Sequence, residues 1–141
     1  MMADWADVSR IALALPETTE TKAYGDNRAW KVRKKTFVWE RPLRGSDLKA
    51  LGDAAYKGPI LGARVEHLIA KDALLADDPD VFFTTPHFDG YPAVLIRLPE
   101  IGSDILEEVI VEAWVVQAPK RVGRQYLDGL SGPVAGDADV K

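Results

Sequence analysis

Residues 81–98 read VFFTTPHFDGYPAVLIRL, from Val81 to Leu98. Two apolar runs flank a central Asp89-Gly90, the dipeptide that permits positive φ in a tight turn. Val81-Phe82-Phe83 is β-branched and aromatic, whereas Ala93-Val94-Leu95-Ile96 is apolar without interruption. A strand needs such a run only when both of its faces are buried. Folding the segment about the turn sets Pro86 opposite Ala93 and Pro92 opposite His87, and neither proline can donate to a ladder. The sequence therefore predicts strands at 81–84 and 93–98 joined by a rigid aromatic loop.

The rest of the chain supplies elements to pack around this pair. Asp4–Leu15 places Trp5, Val8, Ile11, Ala12 and Leu15 on one helical face and stops before Pro16. Glu17–Asn27 is polar, with a turn cluster at Tyr24-Gly25-Asp26-Asn27, and reads as a connection. Ala29–Val32 and Thr36–Glu40 alternate as strands on either side of a charged tip, Arg33-Lys34-Lys35. Ser46–Leu51 fits a short helix capped by Ser46 and ended by Gly52. Ile60–Val65 fits a strand, and a helix is expected over about 70–76. Ser103–Gln117 is strongly amphipathic, with Ser103 or Asp104 as its cap, and a further helix starts near Pro119. Strands that cluster instead of alternating with helices imply an α+β fold: a mostly antiparallel sheet with helices packed on one face. One domain over residues 1–128 and a flexible tail over 129–141 are expected.

Composition narrows the function classes. The 141 residues contain no cysteine, which removes disulfide frameworks, thiol nucleophiles and cysteine metal sites. No apolar run approaches the ~20 residues that span a bilayer, and the N-terminal stretch has no signal core, so the reading is cytoplasmic. The two histidines, His67 and His87, have no metal-ligand spacing, and no phosphate-loop, dinucleotide or nucleophile-elbow motif occurs. No catalytic residue, metal or cofactor is assigned. Asp77-Asp78 with Asp80 reads as turn chemistry, and Glu107, Glu108 and Glu112 as the wet face of a helix.

The net charge is −4, but residues 22–49 hold nine of the 18 basic residues against three acids. That stretch carries +6 and leaves −10 for the remainder. A bipolar chain of this kind can present a basic face, although strand alternation also allows the same charges to be simply solvated. Two basic projections are candidates for contact with nucleic-acid phosphates: Arg33, Lys34, Lys35, Arg41 and Arg44, and Lys120, Arg121 and Arg124. The loop residues His87, Asp89 and Tyr91 are a candidate ligand site, with His87 either gripping a ligand or stacking on its aromatic neighbours.

The chain resembles the MmcQ/YjbR-like family of small bacterial proteins. The resemblance is carried by IALALPET, Trp30-Lys31-Val32, FVWERPL at 37–43, GPILGARV, KDALLADDPDVFFTTPHFDGYPAVLIRL, and EAW with APKR near the C-terminus. TPHFDGYPAVLIRL is its most specific part. The resemblance implies a CyaY-like, double-wing arrangement and a DNA-binding role, and it carries over no catalytic or base-reading residue. On this reading the protein is non-enzymatic and contacts duplex DNA. The alternative is a protein-interaction module acting as a homodimer or partner-docking domain.

Overall fold

The computed structural model describes residues 3–23, 27–56 and 58–131. The Tyr24-Gly25-Asp26 turn and residues 132–141 of the expected tail lie outside the described residues.

Helix α1 (Trp5–Leu13) begins with a reciprocal cap: the Asp4 carboxylate accepts from the Asp7 N–H, and the Asp7 carboxylate from the Asp4 N–H, each at 3.0 Å. Six strands follow: β1 (Thr18–Ala23), β2 (Asn27–Val32), β3 (Lys35–Glu40), β4 (Ile60–Arg64), β5 (Phe82–Phe83) and β6 (Ala93–Arg97). They form one antiparallel sheet in the order β1-β2-β3-β4-β6-β5. The remaining helices are α2 (Gly45–Leu51), α3 (Leu68–Asp77), α4 (Ser103–Gln117) and α5 (Lys120–Ser131). The α+β architecture expected from the sequence is the one observed.

One face of the sheet meets α1 and α4 across a core built on Trp30, Phe37, Leu61, Ile96, Leu106, Ile110 and Trp114. Trp5 stacks on Trp30 with ring centroids 6.2 Å apart, and the Trp114 indole N–H donates to the Pro16 carbonyl at 3.1 Å. A register shift between Trp30 and Lys31 is decisive for the sheet's two faces. Trp30 pairs with Val38 but Lys31 with Thr36, so Phe37 is the extra residue of a bulge. Phe37 and Val38, neighbours in sequence, then both enter the helix-side core, while Trp39 turns to the opposite face.

That opposite face carries a second, smaller cluster over β3, β4 and β6. Ile60, Phe88, Ala93 and Leu95 form it, with Trp39, Leu43, Tyr56 and Phe83 packed against it. β6 thus has apolar neighbours on both sides, as its uninterrupted composition requires.

Four expectations change. The polar 17–27 connection is largely strand β1, which pairs with β2 along its whole length; a half-exposed edge strand needs no apolar alternation. Ser46 is not the cap of α2: Arg44 occupies that position, and the Asp47 carboxylate closes back on its N–H at 2.8 Å. Gly102, with extended backbone, precedes α4 where Ser103 or Asp104 was expected. Finally, α5 continues through Gly129, Leu130 and Ser131, residues assigned above to the tail.

Trp114 is fully buried and anchors the chain before β1 to α4. Trp114→Ala is expected to cost about 3–5 kcal/mol of unfolding free energy, measurable as a lowered urea midpoint at unchanged slope.

Candidate functional site

The 84–92 loop between β5 and β6 organises the second face. Its prolines remove two donors, so its backbone order rests on local turns and on side chains from elsewhere. Pro86–Phe88 forms a single 3₁₀ turn, in which the Phe88 N–H donates to the Thr85 carbonyl at 2.9 Å. Gly90 supplies the positive φ, +74°, that the Asp89-Gly90 pair predicts, but the turn is not a two-residue hairpin. The Pro92 carbonyl accepts from the Val65 N–H at 2.9 Å and from Arg64 Nε at 3.2 Å.

Two buried charged groups hold this loop from either side. Lys71, on α3, is only 5% exposed, and its Nζ donates to the Phe88 carbonyl at 2.6 Å and the Tyr91 carbonyl at 3.0 Å. Burial pushes the Lys71 ammonium below the ordinary lysine range, against the opposing pull of the Asp89 and Asp72 charges. On the other side, Arg41 at the end of β3 pairs with Asp47 of α2 at 3.0 Å, with both side chains almost wholly buried. The Arg41 guanidinium also lies over the Phe88 ring, 5.2 Å from its centroid, and donates to the Pro42 carbonyl.

Burial drives the Asp47 pKa upward, but the Arg44 N–H, the Arg41 charge and hydrogen bonding together hold it below the ordinary carboxylate range. Asp47 Oδ1 and Thr85 Oγ1 both lack a partner of strict hydrogen-bond geometry. Each is nevertheless the other's natural mate: the Thr85 hydroxyl, which rotates freely, helps to lower the Asp47 pKa.

Between these clamps and the open part of the sheet lies a cleft of about 490 Å³. Trp39, Phe88, Tyr91 and His87 provide its aromatic walls, and Arg41, Arg44 and Arg64 its cations. Glu40 also lines it but is engaged by Arg28, whose N–H donates to Glu40 Oε1 at 3.1 Å and whose Nε lies 3.6 Å away. His87 meets Phe88 edge-on, with ring centroids 4.8 Å apart, which is the stacking alternative raised by the sequence. Of the expected ligand-loop residues, His87 and Tyr91 line the cleft; Asp89 is exposed and faces the Lys71 charge instead.

A family model for YjbR matches residues 13–116. The chain belongs to the YjbR family. Uncharacterised proteins of Mycobacterium bovis and Mycobacterium tuberculosis are each 51% identical to it over 129 residues, covering 89% of this chain and 97% of theirs. A crystal structure of a Deinococcus radiodurans protein with a DUF419 domain shares the fold, with a TM-score of 0.62 at 16% identity. The likeness covers 82% of this chain and 78% of that one. The matched YjbR region contains the 84–92 loop, Lys71 and the Arg41–Asp47 pair, and ends before α5.

The expected phosphate-binding cations separate into two groups on this YjbR fold. Arg41 is removed from the exposed set, because its guanidinium is buried against Asp47 and Phe88. Arg44 is exposed on the cleft. Arg33, Lys34 and Lys35 lie at the β2–β3 tip, where Arg33 has φ +55°. Its N–H donates to the carbonyl of Glu17, itself at φ +56°, at 3.0 Å, and the two side chains pair at 2.6 Å. Arg121, at the start of α5, also acts on Glu17: hydrogen bonding from Arg33, then the charges of Arg33 and Arg121, lower its pKa. Gln117 at the end of α4 donates to the Thr36 carbonyl at 2.9 Å. The two basic projections, far apart in sequence, therefore share one end of the molecule.

Sequence reasoning missed Lys71, Arg64 and Gly62. A cation within an apolar helical pattern carries no mark of burial, and α3 in fact exposes Ile69 while burying Lys71. Gly62 did leave a signal, since a glycine inside a strand marks close approach. A Cβ there would stand 2.4 Å from the Trp39 ring. Among the described residues no cluster of three or more histidines and acids could hold a metal, and no helix is long and apolar enough to cross a membrane.

Removing one partner of the buried pair exposes its worth. Asp47→Asn is expected to cost about 3–5 kcal/mol, because Arg41 is left buried with its charge uncompensated. The Asp47 contribution is complete above its unfolded pKa of about 3.9 and is lost as pH falls through the lower folded value. The variant's unfolding free energy should therefore depend less steeply on pH below about 4 than that of the wild type. Lys71→Met removes two charge-assisted bonds while the Phe88 and Tyr91 carbonyls keep their backbone donors, the Tyr91 and Ala93 N–H groups. It is expected to cost about 1.5–3 kcal/mol for each bond lost, and to raise amide exchange selectively across 85–93.

Proposed function

We propose that this YjbR-family protein binds duplex DNA through its backbone, using Arg33, Lys34, Lys35, Lys120, Arg121 and Arg124 as phosphate contacts and performing no chemistry on it. The observation that carries this reading is the convergence of the two basic projections on Glu17. Lys34, Lys35, Lys120, Arg121 and Arg124 are all exposed, and no ion pair engages Lys34 or Lys35 among the described residues. Cations gathered at one end oppose the net charge of −4 locally, which is the arrangement an overall acidic protein needs to approach a polyanion. Phosphate contacts of this kind give affinity and steering without choosing sequence.

The reading predicts steep salt dependence. Affinity for a duplex of mixed sequence should fall log-linearly with salt, with a slope of about −0.9 per phosphate neutralised. Lys34→Glu with Lys35→Glu should weaken binding at low salt and reduce that slope by about 2, measured by fluorescence anisotropy. Absence of binding at low salt would sink the proposal. Salt-insensitive self-association in light scattering would instead favour the protein-interaction role.

A further inference from the structure

We propose that the cleft beside the 84–92 loop binds a small planar aromatic anion, its ring laid against Trp39 and its carboxylate or phosphate paired with Arg64. The site is independent of the duplex reading, since Arg64 belongs to neither basic projection.

The cleft has the dimensions of a small-molecule site. Its volume of about 490 Å³ lies within the range of roughly 300–1,000 Å³ found for ligand pockets. Its walls combine what such a ligand requires: flat apolar surface and one directed charge.

The flat surface is built deliberately by the backbone. Gly62 lies in the middle of β4, buried and paired to Trp39 of β3, at a position where glycine weakens a strand. The missing Cβ leaves the space that the indole occupies; a methyl group would come within 2.4 Å of Trp39 Cε2 and 2.7 Å of Nε1. The ring is thereby laid against the sheet, and Phe88 flanks it with centroids 6.4 Å apart. An aromatic ligand entering the cleft meets a surface already fixed in place, so little ordering accompanies binding.

The charge is equally preorganised. Arg64 Nε is tied to the Pro92 carbonyl at 3.2 Å, and the guanidinium lies 5.0 Å from the Tyr91 ring centroid. These contacts fix the plane of the group while neither terminal amine has a hydrogen-bond or ion-pair partner among the described residues. Of the other charges of the cleft, Arg41 is matched by Asp47 and Glu40 by Arg28, while Arg44 adds a further positive charge on its exposed side. A guanidinium with two coplanar donors open is the fork that receives a carboxylate or phosphate in bidentate fashion. The ring selects planarity and the fork selects an anion.

The test titrates two probes into the full chain, 1-naphthoate and adenosine 5′-monophosphate, with 1-naphthalenemethanol and adenosine as their uncharged counterparts. Calorimetry gives affinity, and the indole N–H resonance of Trp39, assigned with Trp39→Phe, reports location. The expected result is saturable binding of at least one anion that shifts the Trp39 resonance, at least tenfold tighter than its neutral counterpart. Arg64→Gln should abolish that preference and leave the neutral compound's affinity unchanged. The inference is overturned if neither anion moves the Trp39 resonance at millimolar concentration, or if the neutral compounds bind the wild type as tightly. It is also overturned if folded Arg64→Gln keeps the preference. The wild-type comparison of anion with neutral compound decides the question even if the variant does not fold.

Discussion

A chain segment with two prolines cannot knit itself into a sheet, and its carbonyls must be met by donors other than those of a ladder. In this protein the carbonyls of Phe88 and Tyr91 accept the local Tyr91 and Ala93 N–H groups and, in addition, Lys71 Nζ, while that of Pro92 is met from outside by Arg64 and the Val65 N–H. The second face of the sheet depends on this arrangement. Phe88 enters the smaller core with its carbonyl held by the Lys71 ammonium, and Arg41, its charge compensated by Asp47, lies on the Phe88 ring. The 84–92 loop is thus a tether between α3 on one side and the β3–α2 junction on the other.

The charges of the chain are consequently of two kinds. Arg28, Arg41, Lys71 and Arg97 work inside the structure: over Trp5, against Asp47, beneath the loop, and over Phe83 beside the Pro79 and Asp80 carbonyls. Lys34, Lys35, Lys120, Arg121 and Arg124 remain exposed. The concentration of basic residues over 22–49 is therefore not itself a surface. Strand alternation disperses it, and the basic end is assembled from a different set in which three of the five members come from α5.

What was legible in the sequence follows from how local its cause is. The faces of α1 and α4 could be read because apolar spacing acts within a few residues. β6 could be read because burial on both faces leaves an unbroken apolar run. The prolines of the 84–92 loop foretold that strand pairing would stop early, and β5 has only Phe82 and Phe83. β1 was hidden, because TTETKA is an edge strand whose hydrogen bonds come from β2 and whose side chains show no apolar alternation. The site was less legible still. Arg41 looked like one more surface cation because its fate is decided by Asp47 on another element, and Lys71 meets carbonyls seventeen and twenty residues away. His87 and Tyr91 were found through residue type, but the Arg64 and Trp39 that complete their cleft needed the sheet to bring them together.

The strand order also bears on how the molecule assembles. From β1 to β4 each strand lies beside its predecessor, and only once does space depart from sequence: β6 inserts between β4 and β5. The β1–β2–β3 meander closes short loops at little entropic cost, whereas β5 has no sheet neighbour until β6 has arrived. β5 therefore joins the sheet only through β6, to which the short 84–92 loop connects it, whereas β6 reaches β4 across a far longer stretch of chain. The two edges of β6 thus differ in kind: a local pairing with β5 that the loop closes, and a long-range pairing with β4 that carries the greater share of the loop-closure cost.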